Sequence, residues 1–222
     1  MRKIPLKSTQ FLIIFSYVFL PAKNDLLEIG SGTGEFLYLA QKCGWRVTGI
    51  EPSEAACTHA RNVYGLNLIN SLWKPDLLNP HSKYDAVVFW HVLEHVSEPI
   101  VFLQQVSSVV KPGGLIFFSL PNRNSFTNSV FGFESPLFTE IDHLFHYSHN
   151  NLLILLDKAG LFKITLFSRE ESDRFAYDLE VARERQHGGY SSNFVEQMVL
   201  RTRLQANFAG HELVCVARLQ EH

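Results

Sequence analysis

The sequence predicts an α/β domain wound on both faces of a largely parallel sheet, and three observations carry that prediction. From Asp25 onward, short and nearly continuous apolar runs alternate with amphipathic stretches, the pattern of strands covered by helices on both sides. A glycine-rich loop, Gly30-Ser31-Gly32-Thr33-Gly34, stands where the first apolar run gives way to the first amphipathic one. The 222 residues are 46% hydrophobic and 19% charged with a net charge of −2, enough chain for one domain with a sizeable core. That balance excludes disorder, a collagen-like repeat and a strongly basic nucleic-acid binder. Cys43, Cys57 and Cys215 form no CxxC pair, so neither a disulfide framework nor a zinc ribbon is encoded, and a reducing, cytoplasmic compartment is expected.

Each element has its punctuation. Asp25 to Ile29 (DLLEI) reads as a buried strand, Thr33 to Cys43 as a helix closed by Gly44, and Arg46 to Ile50 as a second strand. Ser53 is the expected N-cap of a helix that carries Ala56, Ala60 and Val63 on one face and ends at Gly65. Leu66 to Ile69 and Ala86 to Trp90 supply two more strands. Ser97 and Pro99 open a helix that turns Ile100, Leu103, Val106 and Val110 to the sheet. Lys111-Pro112-Gly113-Gly114 turns into Leu115 to Leu120, a fifth buried strand. Ser148 caps a helix containing Leu152, Leu155, Leu156 and Ala159, and Phe162 to Phe167 with Glu212 to Ala217 form a strand pair. Between these last strands, residues 168–210 predict a helical insertion or lid, helical around Phe175 to Arg185 and Asn193 to Gln205. The apolar run Phe11 to Leu20 follows Arg2, Lys3 and Lys7. It is about half the roughly 20 residues that span a bilayer and has no A-x-A-like site after it, so residues 1–24 are expected to cover the sheet rather than to target the chain. No linker divides the chain, and a single domain over 1–222 is expected.

The glycine loop sits where a doubly wound sheet binds ligands. A dinucleotide fingerprint G-x-G-x-x-G would need Gly or Ala at the position of Glu35, a carboxylate set where a pyrophosphate would meet the helix N-terminus; that argues against a nicotinamide dinucleotide. Glu51 closes the second strand roughly 20 residues after the first glycine, the spacing at which an acid reaches ribose hydroxyls. The site therefore suits an adenosine-like nucleoside without phosphates. Glu28 enters the same turn, either as a structural acid bonding loop amides or as part of the pocket.

Four motifs in order, E-I-G-S-G-T-G from Glu28, G-I-E-P-S from Gly49, Y-D-A-V-V from Tyr84 and V-V-K-P-G-G-L from Val109, resemble those of class I S-adenosylmethionine-dependent methyltransferases. The resemblance covers about Asp25 to Ala217. It implies a seven-stranded Rossmann-like sheet with an antiparallel last strand and S-adenosylmethionine as cofactor. Glu51 would hold the ribose, and Glu28, Gly30, Ser31, Gly32 and Gly34 would face the methionine part, with Pro52, Trp90 and His91 beside the cofactor. The family's adenine-contacting acid is replaced at the matching positions by Ser71 and Leu72.

After the fourth strand, Trp90-His91-Val92-Leu93-Glu94-His95-Val96 places His91, Glu94 and His95 at i, i+3 and i+4, one face of a helical turn. Asp142-His143-Leu144-Phe145-His146-Tyr147 returns more imidazoles from the loop after the fifth strand. This pattern, with Pro121-Asn122-Arg123-Asn124, is similar to that of ubiquinone-biosynthesis O-methyltransferases, in which a Glu-x-x-Glu-His motif binds a divalent metal. Three readings stay open. A catalytic base stands among His91, His95 and His143; or the roles are structural, with Glu94 and His95 fastening the loop; or His91, Glu94, His95 and His143 hold a metal, with imidazole shifting the choice from Mg²⁺ toward Zn²⁺, Mn²⁺ or Fe²⁺.

Methyl transfer itself requires in-line placement of a nucleophile and a nearby base for a hydroxyl. The acceptor-side loop, residues 121–147, carries Phe126, Phe131, Phe133, Phe138 and Phe145, rings that favour an apolar or aromatic small-molecule acceptor unless they serve only to pack the loop. The expected activity is transfer to oxygen, less favoured to nitrogen. Neither nucleic acid nor integral membrane contact is expected. Two alternatives remain: a methyltransferase-like binding protein without chemistry, suggested by the little chain before the first strand, and a nicotinamide oxidoreductase.

Overall fold

A computed structural model of the chain describes residues 24–79, 81–170, 172–185 and 193–219; the Phe11 to Leu20 segment lies outside them. Strands β1 (Asp25–Ile29), β2 (Arg46–Ile50), β3 (Tyr84–Trp90), β4 (Val110–Pro121), β5 (Leu161–Arg169) and β6 (Glu212–Leu219) form one six-stranded sheet in the order β2-β1-β3-β4-β6-β5. β1 pairs in parallel with β2 and β3, and β5 pairs antiparallel with β6. Among the described residues the sheet has six strands, one short of the seven expected. Leu66 to Ile69 contributes only an isolated parallel bridge, Ile50 to Ile69, with the Ile69 amide donating to the Gly49 carbonyl and the Ile69 carbonyl accepting from Glu51. The alternation of elements and the antiparallel final pair match the expectation.

The chain divides into two compact units: one up to Trp90 together with Gln104–Phe117, the other His91–Leu103 together with everything from Phe118 onward. In the first, β1 and β3 bury Leu26, Leu27, Ala86, Val87, Val88 and Phe89 almost completely, as a strand covered on both faces must. α1 (Glu35–Lys42) starts two residues later than its apolar pattern predicts, since Gly34 takes a left-handed conformation (φ 82°) that interrupts the helix. The side chain of Ser53 accepts a hydrogen bond from the Ala56 amide and caps α2 (Glu54–His59), which runs on as a π-helical turn (Ala60–Tyr64) to Gly65. At the end of β1 away from the glycine loop, Asp25 is gripped by Arg46 at 2.7 Å and by Lys111 at 2.9 Å, and Lys111 also reaches Asp85 at 2.7 Å. The Arg46 hydrogen bond, ahead of the opposing effect of burial, holds the Asp25 carboxyl at about 2.

The second unit continues from His91 through the 3₁₀ turn Leu93–His95 toward α3 (Pro99–Ser108). It also holds α4 (Phe126–Phe131), α5 (Pro136–Thr139), α6 (His149–Lys158), α7 (Ser172–Glu184) and α8 (Phe194–Ala206). Ser148 and Asn151 complete a reciprocal cap on α6. The stretch read as an insertion contains α7 and α8, close to the expected bounds. Phe175, Leu179 and Ala182, at i, i+4 and i+7 along α7, form a buried cluster with Phe126 and Val130 of α4, and Leu200 and Leu204 of α8 pack against it. These contacts give α7 a share of the core.

Candidate active site

In the first unit, β1 runs into the glycine loop and β2 ends beside it. The amides of Gly30 and Ser31 both donate to the Ile50 carbonyl, and the Ser31 hydroxyl donates to the Glu28 carbonyl at 3.0 Å. Gly32 has φ 51°, and a Cβ built there meets nothing within 4 Å; the position is open on the side a side chain would fill. Gly34 differs, because a Cβ there would meet Ala60 Cβ at 3.0 Å and Leu66 Cδ1 at 3.2 Å. One glycine leaves room for a ligand and the other lets the helix pack.

The carboxylate of Glu51 is buried and spans the loop: Oε2 accepts the Gly32 amide and Oε1 the Ser53 amide, each at 2.8 Å. The role of an acid bonding loop amides thus belongs to Glu51 rather than Glu28. Each carboxylate oxygen keeps a further lone pair, so both remain able to accept from a diol. Asn70, which the sequence reading overlooked, donates through Nδ2 to the carbonyls of Glu51 and Pro52, both at 3.0 Å. Glu28 is fully buried, its Oε2 has no hydrogen-bond partner among the described residues, and burial, reinforced by Glu51, pushes its carboxyl well above the ordinary range. Ser71 turns its hydroxyl back to the Leu72 carbonyl, leaving Leu72 largely exposed. The edge of Phe36 meets Trp90 at 5.4 Å.

The second unit encloses a cavity of about 540 Å³ whose lining includes His91, His95 and His143. His91 has a left-handed backbone (φ 53°). Its Nε2 lies 3.0 Å from Glu212 and its Nδ1 3.3 Å from Glu94, so both nitrogens face acids. Burial pulls its pKa down, but Glu212 and Glu94 outweigh that and hold it at about 10; at neutral pH this ring is a cation. Arg169 shares Glu212, with Nε at 2.7 Å and Nη2 at 2.5 Å from Oε2. Burial would raise the Glu212 carboxyl, yet His91 and Arg169 bring it to about 2.

His95 and His143 face each other edge to face with centroids 4.8 Å apart. His143 is anchored through Nε2 to Glu140 at 2.8 Å, and its buried Nδ1 has no hydrogen-bond partner among the described residues. Among the described residues, the buried Glu94 carboxylate meets His91 Nδ1 only as an ion pair at 3.3 Å, and neither of its oxygens accepts a hydrogen bond of good geometry. One donor atom from each of Glu94, His95 and His143 falls within 4.8 Å of the others, a set that could hold a metal ion. His91 stands outside that set. The fastening role is also visible: the Glu94 carbonyl accepts from the amides of Leu144 and Phe145, and His95 Nδ1 bonds the Asp142 carbonyl at 3.0 Å.

None of the five phenylalanines expected over the acceptor lines the cavity. Phe126 is buried in the α4–α7 cluster and Phe131 packs beside it, because the rings of α4 follow the face that meets α7, while Phe133, in the 3₁₀ turn after α4, is 94% exposed. The cavity wall holds Arg169, Arg174 and His211 instead. These residues, with Glu212 behind them, come from the later part of the chain and carry no motif; the one visible signal was a charge closing β5, Arg169, and an opposite charge opening β6, Glu212, which the register pairs. Among the described residues, no helix is long and apolar enough to cross a membrane.

Residues 9–166 match a family model described as a methyltransferase domain. A ubiquinone biosynthesis O-methyltransferase of Shewanella halifaxensis (strain HAW-EB4) is 33% identical over 151 residues, 63% of this chain and 64% of that protein. Its namesake from Rhodopseudomonas palustris (strain BisB18) is 29% identical over 154 residues, 61% of this chain and 60% of its own length. The chain thus spans less than two thirds of these relatives. A SAM-dependent methyltransferase from Archaeoglobus fulgidus superposes with a TM-score of 0.66 at 19% identity, covering 96% of this chain and 92% of its own. One from Clostridium acetobutylicum ATCC 824 gives 0.63 at 14% identity, with coverages of 99% and 94%. At such identities the structures speak for the fold.

Proposed function

Because the chain belongs to the methyltransferase-domain family, we propose that it binds S-adenosylmethionine and moves its methyl group to an oxygen of a small-molecule acceptor. The observation that carries this reading is the cradle of the first unit, in which Gly32 is open where a Cβ would stand and Glu51 presents a buried carboxylate across the loop. The residues present fit the cofactor. Glu51 accepts from the ribose hydroxyls with the lone pairs its loop amides leave unused. Glu28, with an unpartnered buried oxygen, faces the methionine end, and exposed Leu72 offers apolar surface to the adenine in place of the missing acid. The bound cofactor supplies an electrophilic methyl on a sulfonium.

The acceptor's hydroxyl must lose a proton as the bond to carbon forms. His143 suits that task on geometry, since Glu140 fixes its Nε2 and leaves Nδ1 unpartnered. The O-methyltransferase names of the relatives favour oxygen over nitrogen. A second reading rests on the convergence of Glu94, His95 and His143: a divalent metal held there would polarise the acceptor oxygen, and two imidazoles with one carboxylate suit Zn²⁺, Mn²⁺ or Fe²⁺ better than Mg²⁺.

Calorimetric titration of the purified chain with S-adenosylhomocysteine, with NADH as control and metal analysis of the same sample, tests both readings. Micromolar binding of the nucleoside alone is expected. Failure to bind in folded protein would remove the methyltransferase reading, binding of NADH would replace it with a nicotinamide site, and a metal-free sample that takes up no added Zn²⁺ or Mn²⁺ would remove the second reading.

A further inference from the structure

Resting on the methyltransferase reading, we propose that the acceptor carries an oxyanion, a carboxylate or phosphate, gripped by the two outer nitrogens of Arg174 in the cavity of the second unit. Arg174 stands in the first turn of α7 and lines that cavity. Its ion-pair partner among the described residues is Asp178, whose Oδ1 lies 3.8 Å from Nε, too long for a hydrogen bond. Among the described residues no hydrogen bond engages Nη1 or Nη2, the pair that makes the planar fork of a guanidinium. The cavity's other arginine is committed, since Arg169 spends Nε and Nη2 on Glu212.

Asp178 is fully buried and held by the Thr127 hydroxyl at 2.5 Å. Burial raises its carboxyl, against weaker pulls from Thr127 and Arg174 and with a further push from Glu170. The amide ends of a 13-residue helix add positive potential at the same turn. A planar fork without a partner, open to a cavity and set at a helix N-terminus, matches the two oxygens of a carboxylate or phosphate. Pro121, Pro136 and Leu137 give the same cavity apolar wall, so the acceptor has an uncharged body and one charged end. This differs from the apolar acceptor that the phenylalanine count suggested.

The test is titration of the full chain with benzoate, phenyl phosphate and benzamide, each for wild type, Arg174→Gln and Arg174→Lys, with S-adenosylhomocysteine titrated separately into every variant. In wild type the acids bind roughly tenfold tighter than the neutral amide. Arg174→Gln loses that preference while keeping its affinity for S-adenosylhomocysteine, which also shows that it folds. Arg174→Lys, a charge without the fork, keeps part of it. Tighter binding of phenyl phosphate identifies the group as phosphate, and of benzoate as carboxylate. Equal binding of acids and amide by wild type, or a preference that survives in Arg174→Gln, overturns the proposal. A preference for acids in a chain that does not bind S-adenosylhomocysteine overturns the methyltransferase reading and leaves the oxyanion site standing.

Discussion

The candidate sites of the two units are built from different material. The cradle of the first unit is backbone: the amides of Gly32 and Ser53, the carbonyls of Ile50 and Ile69, and one carboxylate that ties the loop to the end of β2. Its parts lie within about fifty residues, on two neighbouring strands and the turns after them. The cavity of the second unit is side chain: His91 after β3, His143 in a loop, Arg169 and Glu212 on the antiparallel pair and Arg174 on α7. Backbone geometry is dictated by local conformation, so a cradle of the first kind tolerates few residue types and reappears wherever the fold does. Side chains brought from separate elements can be exchanged without disturbing the sheet, and such a wall is where an acceptor is chosen.

That contrast can be broken by substitutions on either side, the largest effect coming from the cradle. Gly32→Val places a β-branched side chain at φ 51° with no neighbour to strike. It is expected to cost about 1–2 kcal/mol of stability through backbone strain but to weaken S-adenosylhomocysteine by at least about a hundredfold, close to 3 kcal/mol. Calorimetry beside thermal unfolding separates the two, and an unchanged affinity in folded Gly32→Val would remove the cradle from the cofactor site. Glu212→Ala removes the acid shared by His91 and Arg169. Breaking a buried ion pair costs roughly 3–5 kcal/mol; here about 2–3 is expected, because water reaches both cations, whose side chains are 49% and 38% exposed. Urea unfolding measures the loss, and a cofactor affinity that stays within about twofold of wild type would show that the wall and the cradle act independently.

Acid pH sharpens the comparison further. Glu212 and Asp25 both have folded values of about 2, below their ordinary 4.5 and 3.8. A carboxyl with a depressed pKa contributes stability that is fully present above its unfolded value and lost as pH falls through the folded one. Urea midpoints are therefore expected to decline between about pH 4.5 and 2. Glu212→Ala should flatten that decline more than Asp25→Asn, since the latter cluster is wetter, and Asp25→Asn at neutral pH should cost at most about 1 kcal/mol. An equal flattening by both variants would mean that burial adds nothing to the Glu212 network. Smallest of all, Asn70→Ala removes the amide that holds the Glu51 and Pro52 carbonyls; a loss of about 0.5–1 kcal/mol with a few-fold weaker cofactor is expected from the same pair of measurements.

Apolar runs, capping residues and glycines determine local backbone, and here they were enough for β1, β2, the Ser53 and Ser148 caps, the antiparallel final pair, and the loop with Glu51 at its edge. All but the final pair, whose strands are 43 residues apart at Arg169 and Glu212, depend on residues near one another in the chain. What only the tertiary structure decided depends on residues far apart. Leu66 to Ile69 has the composition of a strand yet forms a single bridge, because a strand also needs a neighbour in register. The phenylalanines of 121–147 were legible as rings but not as core or cover, since only packing says which face of α4 meets α7. His91, Glu94 and His95 share a sequence pattern, but Glu212, 121 residues from His91, takes His91 out of the cluster that Glu94 and His95 form with His143. Arg174 could not be read at all: an arginine on a charged helix is ordinary until the fold opens a cavity in front of it and, among the described residues, leaves its outer nitrogens without a hydrogen bond.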